Sequence, residues 1–417
     1  MDERDGVIWL HRRAGFGLSP SELREALGRG AGAELRRLID PSGAGAPAAT
    51  DPWDDALLPY DPQDQVSKVH SVAAWVEQMV LTEQPLVDRM ALIWHGHFVS
   101  AIDKVRIARL MVDQVRLFRS SGLGPFRDLL RAVSIDPAML VYLDLRTSTG
   151  SEPNENYARE LMELFTLGEG QYSEADVKAG AVALTGWTLT LAAGLRFAPR
   201  LHDDTPQTYL GVEGVHDLDT VIDAVMAHPA MPVFIASTVA AELLGDVDEG
   251  VIQELAAAFT SSGFDVRALV KATLEQGLAG ESSPILLAPV PWLVQAMRMT
   301  GAPFPQGDSQ RRFGQLLDGA GQMPMKPPNV AGWPGGAAWL GASSMVARAN
   351  LAALVAAAAT DESVLSAARD SDPGRLAEAL GLPSAGFSAS TSAALAAVPS
   401  GRQRLAVALV APEFLIA

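Results

Sequence analysis

The sequence predicts an all-α protein: a single large multi-helix domain over residues 1–417, with long Pro/Gly-rich loops and one short β-hairpin. Hydrophobic residues make up 48% of the 417 residues, and much of that share is alanine and leucine, which favour helix over sheet. Helix-start signals recur along the chain and are separated by Pro, Gly and Ser clusters. A chain of this length also has room for one large helical core.

The N-terminal region predicts a tight loop followed by a helix start. The Gly15/Gly17 pair makes the tight loop, which follows Arg12 and Arg13, and Ser19 can cap a helix that begins at Pro20. Glu22 stands where the acid of a capping box is expected. The two arginines of the loop are either surface side chains or an anion clamp, so Arg13 is a candidate substrate-binding residue.

Three longer stretches outline the rest of the scaffold. Residues 41–65 are rich in Pro, Gly, Ala and Asp, which predicts a surface loop. Residues 66–118 predict two helices. Residues 342–417 are Ala-rich and predict a C-terminal helical scaffold region.

Two histidines close the second of these helices. His97 shares a face with Leu86, Met90 and Trp94, which directs it to the core, whereas His95 points the other way. Side chains two residues apart on a helix diverge by about 200°, so both histidines bind one metal only if the helix ends between them. His97 is either a buried, hydrogen-bonded histidine or a ligand or general base that faces a polar pocket.

The most informative stretch is a predicted helix that begins after the N-cap residue Asn154 and ends at Gly168. One side is apolar, and the opposite side carries Glu155, Asn156, Arg159, Glu160 and Glu163. As a solvated face, its Glu–Arg pair contributes a few tenths of a kcal/mol. As a functional face, Glu160 is a general acid or base or a metal ligand, and Arg159 holds an anion. The candidate catalytic residues are Glu160, Glu155, Arg159 and His97.

Residues 195–212 have no helical period, and a short hairpin or irregular strand fits them. His202, Asp203 and Asp204 form a dense titratable cluster in this stretch, which suits zinc, manganese or magnesium, or alternatively a turn with Asx hydrogen bonds. A divalent metal ion is therefore the candidate cofactor. The candidate metal ligands are His95, His97, His202 and Asp203.

The stretch 321–341 contains many prolines and glycines, which predicts a rigid loop rather than a helix. Its tryptophans, Trp333 and Trp339, either stack on a sugar or peptide ring or fill the core. The candidate substrate-binding residues of the whole chain are Arg13, Asn156, Trp187, Asn329 and Trp333.

Composition excludes several partners and chemistries. The chain has 32 Lys and Arg against 49 Asp and Glu, a net charge of −17, which repels nucleic acid and anionic membranes. It has no cysteine, which excludes disulfides, thiolate metal sites and cysteine nucleophiles. No signal peptide precedes the first helix, so we expect a cytoplasmic protein as the sequence stands and an exported one if a leader was removed. Oligomeric state is not predicted.

Several motifs together resemble one bacterial family, the domain of unknown function 1800. They are His11 to Gly17, Trp94-His95-Gly96-His97-Phe98, Asp136-Pro137-Ala138-Met139, Pro153 to Gly168, Leu184-Thr185-Gly186-Trp187, His202-Asp203-Asp204, Pro327 to Gly336, and Ala411-Pro412-Glu413-Phe414. The motifs follow the family's order over essentially the whole chain. The resemblance implies no stated activity, and many members look exported. This sequence differs from the family pattern at Gly96, where an asparagine is expected, and at Ser237-Thr238, where a basic residue is common.

Two functions of different classes follow. The first is a hydrolase with an acidic His/Glu/Asp pocket, metal-assisted or acting on a glycan or glycopeptide through paired carboxylates, with a small-molecule or glycan substrate. The second is a non-catalytic helical binding or structural protein whose polar motif is an internal hydrogen-bond network. No zinc-protease, catalytic-triad, P-loop or dinucleotide signature occurs in full.

Overall fold

A computed structural model describes residues 1–41, 50–190 and 194–417, and helices dominate this part of the chain, which confirms the all-α class. The α-helices there are α1 (Glu3–Arg13), α2 (Pro20–Arg29), α3 (Ala31–Ile39), α4 (Gln65–Leu81), α5 (Pro85–His97), α6 (Ile102–Val105), α7 (Ala108–Ser121), α8 (Phe126–Ser134), α9 (Pro137–Tyr142), α10 (Glu155–Glu160), α11 (Glu174–Ala183), α12 (Leu218–Ala227), α13 (Ala230–Leu243), α14 (Glu249–Ser261), α15 (Val266–Ala279), α16 (Pro289–Thr300), α17 (Asp308–Gly319), α18 (Ala342–Ala358), α19 (Glu362–Arg369), α20 (Pro373–Ala379), α21 (Ala389–Ala397), α22 (Arg402–Ala408) and α23 (Pro412–Leu415). Short 3₁₀ helices cover Asp55–Leu57, Leu145–Thr147, Pro199–Leu201 and Gly336–Leu340.

The strands form two separate hairpins. β1 (Trp187–Thr190) pairs antiparallel with β2 (Gly194–Phe197), and β3 (Gln207–Tyr209) pairs antiparallel with β4 (Val212–Val215). The prediction of one hairpin within residues 195–212 was therefore wrong in its extent. Trp187 begins β1 and packs against Phe197 with ring centroids 5.2 Å apart.

The predicted helix over residues 154–168 is present but changes type halfway. Asn154 caps α10 by accepting from the backbone N–H of Asn156, as predicted, and Gly168 ends the segment with a φ of +90°. Between them, Leu161–Thr166 is a π-helix. The Thr166 hydroxyl donates to the carbonyl of Leu161 at 2.5 Å, five residues earlier, so a side chain supports the wider turn.

Helix α5 is buried on nearly all sides rather than on one face. Its residues Leu86 and Asp88 through His95 are all buried. The helix packs against α7 and α4, and the segment around Met325 lies on it as well. The one-sided interpretation of this helix was wrong because an interior helix has neighbours all round.

Buried arginines tie the N-terminal helix to the end of the chain. Arg12 donates to the carbonyls of Phe414 (2.9 Å) and Ile416 (2.8 Å), and Arg13 donates to Ser283 O at 2.6 Å. Both side chains are buried, so the interpretation of them as surface arginines was wrong. These guanidinium groups donate hydrogen bonds to backbone carbonyls that would otherwise lack a donor.

The predicted loop over residues 41–65 is only partly a surface feature. Residues 42–49 lie outside the described part of the chain. In the rest, Trp53 is buried and its indole N–H donates to Ser71 O at 3.0 Å. Leu58 is buried as well. This stretch is therefore anchored on α4 by apolar side chains.

No single helix of the described residues is long and apolar enough to cross a membrane. Two bent helix pairs, α12 with α13 and α18 with α19, meet the length and composition criteria only when each pair is taken together.

Candidate functional site

A polar cavity of about 220 Å³ lies between α5, α13 and the Pro/Gly-rich loop over residues 321–341. It combines titratable, amide and indole side chains in one space. Its lining residues are Arg89, Leu92, Ile93, Gly96, His97, Thr238, Glu242, Ala288, Gln322, Ala331, Trp333, Pro334, Gly335 and Trp339. Of the predicted site residues, the structure brings His97 and Trp333 together here.

His97 has a fixed tautomer. Its Nε2 lies 2.9 Å from the carbonyl oxygen of Phe165, and because a carbonyl only accepts, Nε2 must carry the proton. A neutral ring then leaves a lone pair on Nδ1. Burial among Trp94, Phe98 and Phe234 lowers the pKa of His97 to about 4, so the ring is neutral at pH 7. The unprotonated Nδ1 thus belongs to a side chain that lines the cavity.

Arg89 supplies a positive charge to the same cavity. Its side chain is 7% exposed, and its Nη2 lies 3.3 Å from a carboxylate oxygen of Glu242, whose side chain is 50% exposed. Nη2 also contacts the carbonyl of Glu242, and Nε contacts the carbonyl of Arg13, each at 3.3 Å. Burial lowers the pKa of Arg89, and the Glu242 carboxylate opposes that shift. An arginine this basic stays charged at neutral pH.

The remaining polar lining comes from Gln322 and Thr238. Gln322 Oε1 accepts from the backbone N–H of Val290 at 2.9 Å, which orients its amide so that Nε2 is the remaining donor. The Thr238 hydroxyl donates to Phe234 O at 3.0 Å and keeps acceptor capacity. Thr238 and Gly96, two positions where the chain departs from the family pattern it resembles, both line this cavity.

His95 holds the loop in place instead of facing away from the core. It is fully buried, and its Nε2 accepts from the backbone N–H of Met325 at 3.0 Å. The ring lies edge-on between Trp75 and Trp333, with centroid distances of 5.4 Å to each. Burial lowers its pKa to about 3, and Nδ1 is buried without a partner. The prediction that His95 points away from the core was wrong, because the loop covers that side of α5.

Backbone contact fixes the approach of the loop to α5. A Cβ on Gly332 would overlap the carbonyl oxygen of Gly96, and Gly332 has a φ of +82°. Only glycine suits both requirements. A Cβ on Gly96 would lie 3.7 Å from the Trp333 ring, an ordinary contact. Trp333 therefore packs directly over Gly96 and forms one wall of the cavity.

The acidic side of the central helix lies elsewhere and forms ion pairs near the surface. Arg159 bonds Glu174 at 2.6 Å and Glu155 at 3.4 Å, and both glutamate side chains are at least 42% exposed. Glu160 is half-buried, and burial together with the Glu163 carboxylate raises its pKa. None of these acids lines the cavity. The segment contributes a backbone carbonyl, that of Phe165, rather than its carboxylates.

We expect Arg159→Ala to lower the free energy of unfolding by less than about 1 kcal/mol, because exposed ion pairs contribute about 0–1 kcal/mol. Lys271→Ala removes another exposed pair, Lys271–Glu275, and serves as the matched control with an equally small effect. Urea titrations of both variants measure this. A decrease in the free energy of unfolding of more than about 2 kcal/mol in Arg159→Ala, but not in Lys271→Ala, would show that the Arg159–Glu174 pair is more than an exposed ion pair.

The candidate metal ligands are not brought together. His202 Nδ1 lies 3.0 Å from Thr185 O, Asp203 accepts from the backbone N–H of Thr205 at 3.0 Å, and His95 and His97 are held by Met325 and Phe165. No group of three or more His, Asp or Glu side chains in residues 1–41, 50–190 and 194–417 is arranged to hold a metal ion. The Asx-turn interpretation of the 202–204 segment fits Asp203.

Four further candidates also lie outside the cavity lining. Asn156 is exposed on α10. Asn329 is exposed and its Oδ1 accepts from Ala331 N at 2.9 Å, so it shapes the turn that leads to Trp333. Arg13 is buried behind the cavity, where its carbonyl contacts Arg89. Trp187 belongs to the hairpin cluster with Phe197 and His202.

Sequence reasoning missed Arg89, Glu242 and Gln322. No motif marks them, and they come from α5, the end of α13 and the loop, which lie far apart along the chain. Arg89 carries one usable signal: it is an arginine inside an otherwise apolar helical stretch.

Comparison with known proteins places the chain in a family but gives no activity. Neither the curated proteins nor the solved structures contain a match. The family described as "Protein of unknown function (DUF1800)" has a sequence model that matches residues 9–416 of the 417. The match includes α5, α13 and the loop that build the cavity, and the chain belongs to this DUF1800 family.

Proposed function

We propose that this protein is a hydrolase whose active site is the cavity between α5, α13 and the 321–341 loop. The observation that carries this proposal is the state of His97. Its Nε2 proton is committed to Phe165 O, so a neutral Nδ1 lone pair is available beside the buried Arg89 cation. A positioned base that accepts a proton from water, next to a fixed positive charge, is the arrangement that hydrolysis requires.

The lining residues take distinct roles in this proposal. His97 accepts a proton from the water that attacks the acyl carbon and returns it to the leaving oxygen or nitrogen as the acyl bond breaks, while Arg89 and the amide of Gln322 stabilise negative charge on the substrate. Trp333 and Trp339 form apolar walls on which a ring can stack. The volume of about 220 Å³ admits a small molecule or a single ring of a larger glycan.

The cavity favours hydrolysis with one base over the paired-carboxylate mechanism. Glu242 is the one carboxylate among the lining residues in the described part of the chain. Glycoside hydrolysis by two carboxylates needs a second acid across the bond. An ester or amide bond, including one on a sugar, needs only a base and a charge-stabilising group. We therefore propose an acyl bond as the substrate bond.

The non-catalytic alternative is favoured by one feature of the central motif. Buried polar groups around it satisfy one another: Gln114 donates to Asp136 at 2.9 Å, and Tyr157 donates to Ser134 at 2.7 Å. Such a network fixes how α7, α8 and α10 pack. In this alternative the central motif is structural, and the cavity only binds a ligand.

The expectations about partners stay predictions that rest on composition. They are the absence of nucleic-acid and membrane partners, and the cytoplasmic location. A bound divalent metal ion likewise stays a prediction, and no step of the proposed reaction depends on one.

The proposal predicts that hydrolysis depends on His97. A set of small chromogenic esters, amides and glycosides is screened, and turnover of any hit is expected to fall about 100-fold or more in His97→Gln, the contribution of a general base. The glutamine amide can still donate to Phe165 O, so the fold is retained. His216→Gln, on an exposed histidine outside the cavity, is the control and keeps its turnover. Full turnover in His97→Gln would contradict the proposal.

A further inference from the structure

We propose that the cavity binds an anion that carries its own hydroxyl donor, such as a hydroxycarboxylate or a hydrogen phosphate. Arg89 takes the charge, His97 accepts from the hydroxyl, and Glu242 is the counterion that the ligand displaces. This inference rests on the proposed function in so far as it names the substrate class of the same cavity.

Arg89 is incompletely satisfied by the protein. Its contacts to Glu242 Oε2, Glu242 O and Arg13 O are all 3.3 Å long. Charge-assisted hydrogen bonds of this type normally measure about 2.7–2.9 Å. Its remaining nitrogen, Nη1, makes none of these three contacts, and the Arg89 side chain lines the cavity. A planar guanidinium in this state can still take an oxyanion in bidentate fashion.

The charges behind Arg89 add to its attraction for an anion. Arg12 and Arg13 are both buried, and their guanidinium groups donate to backbone oxygen atoms, including Ala417 O at 2.5 Å from Arg13 Nη2. Burial, followed by the charges of Arg12 and Arg89, lowers the pKa of Arg13 to about 9, which places the three guanidinium groups near one another. All three remain protonated at pH 7, so this region is locally positive although the chain carries −17 overall.

Glu242 is suited to give way to a ligand. Its side chain is 50% exposed and belongs to the last turn of α13, so the carboxylate can turn into water. Its carboxylate is the counterion of Arg89 until a ligand takes that place. An anion that approaches Arg89 must displace it or share the cation with it, which lowers affinity.

His97 selects for a donor on the ligand. Because Nε2–H is given to Phe165 O, only the Nδ1 lone pair faces the ligand, and a lone pair repels a fully deprotonated carboxylate oxygen. A hydroxyl beside the carboxylate, or the hydroxyl of a hydrogen phosphate, satisfies Nδ1 and Arg89 together. Lactate and propionate differ by that hydroxyl alone and therefore make a matched pair of probes.

Isothermal titration of the full chain at pH 7 tests this. Lactate and inorganic phosphate are expected to bind, propionate to bind about tenfold more weakly, and glycerol, the neutral control, not to bind. Glu242→Gln is expected to tighten lactate or phosphate binding about three- to tenfold, because it removes the competing charge. Glu378→Gln makes the same change in net charge on α20, away from the cavity, and leaves binding unchanged. Arg89→Lys keeps a charge but loses the planar fork and weakens binding about tenfold.

The outcomes separate this inference from the proposed function. No binding of either anion, equal binding of lactate and propionate, or weaker binding in Glu242→Gln would overturn the inference. Tighter binding of phosphate than of lactate would identify the anionic group of the ligand as a phosphate, and the opposite order would identify it as a carboxylate. Anion binding without hydrolysis of any screened substrate supports the inference and counts against the hydrolase. His97-dependent hydrolysis of a neutral ester without anion binding would support the hydrolase and overturn the inference.

Discussion

Between about pH 6.5 and pH 4 the contribution of two buried histidines to the free energy of unfolding is expected to fall with decreasing pH, opposed by buried Asp136, whose pKa is raised by burial to about 7. Burial lowers the pKa of His95 to about 3 and that of His97 to about 4, against about 6.5 in an unfolded chain. At these two histidines the unfolded state therefore binds more protons in this window. Their stabilisation is complete above about pH 6.5 and is lost as the pH falls, with a slope of up to about 1.4 kcal/mol per pH unit for each histidine.

The variant His95→Gln isolates one of these contributions. Its amide oxygen can still accept from Met325 N–H, but it does not titrate. Chemical denaturation at several pH values is expected to give a shallower pH dependence than in the wild type, by about one proton's slope. His216→Gln, on an exposed histidine, is the control and should follow the wild-type curve. Parallel curves for His95→Gln and wild type would show that His95 titrates normally.

Gly332→Ala is expected to lower the free energy of unfolding by on the order of 3–5 kcal/mol, or to detach the loop from α5 locally. The new Cβ would overlap the Gly96 carbonyl oxygen, and the residue has a φ of +82°. Backbone strain of about 1–3 kcal/mol adds to an overpacking cost of similar size. Detachment would expose Trp333, which lies against His95, so tryptophan emission should shift to the red.

Two neighbouring glycines separate the causes. Gly336 has a φ of +57° with open space around its Cβ position, so Gly336→Ala reports the strain alone, about 1–2 kcal/mol. Gly335 has a φ of −102° and open space, so Gly335→Ala should be neutral. If Gly332→Ala were no worse than Gly336→Ala, the loop would not be seated on α5 as described.

Local signals in the sequence were sufficient to place helix ends. Ser19 and Ser173 form the capping boxes that their spacing indicates, and Asn154 and Gly168 bound the central segment. These features depend on residues three or four positions apart, so a single sequence contains them. The π-helix within that segment was not predictable, since it depends on the Thr166–Leu161 contact inside the packed protein.

The candidate site was predictable only in part, because it is assembled from distant segments. His97 and Trp333 were identified by residue type, yet their meeting in one cavity depends on Gly332 lying against Gly96. Helical periodicity predicted the wrong direction for the His95 side chain. The loop that covers His95 is more than two hundred residues away in the sequence, so the period of one helix does not report it. The acids of the central helix drew attention through their density, but density on an exposed face more often gives ion pairs such as Arg159–Glu174.

The state of the His97 ring is the central claim, and its ¹⁵N chemical shifts from about pH 3 to pH 8 test it most directly. The structure predicts a protonated Nε2 and an unprotonated Nδ1 at pH 7, with a pKa near 4. A proton on Nδ1 at neutral pH, or titration near pH 6.5, would contradict the account, because the base that the proposed chemistry uses would then be absent.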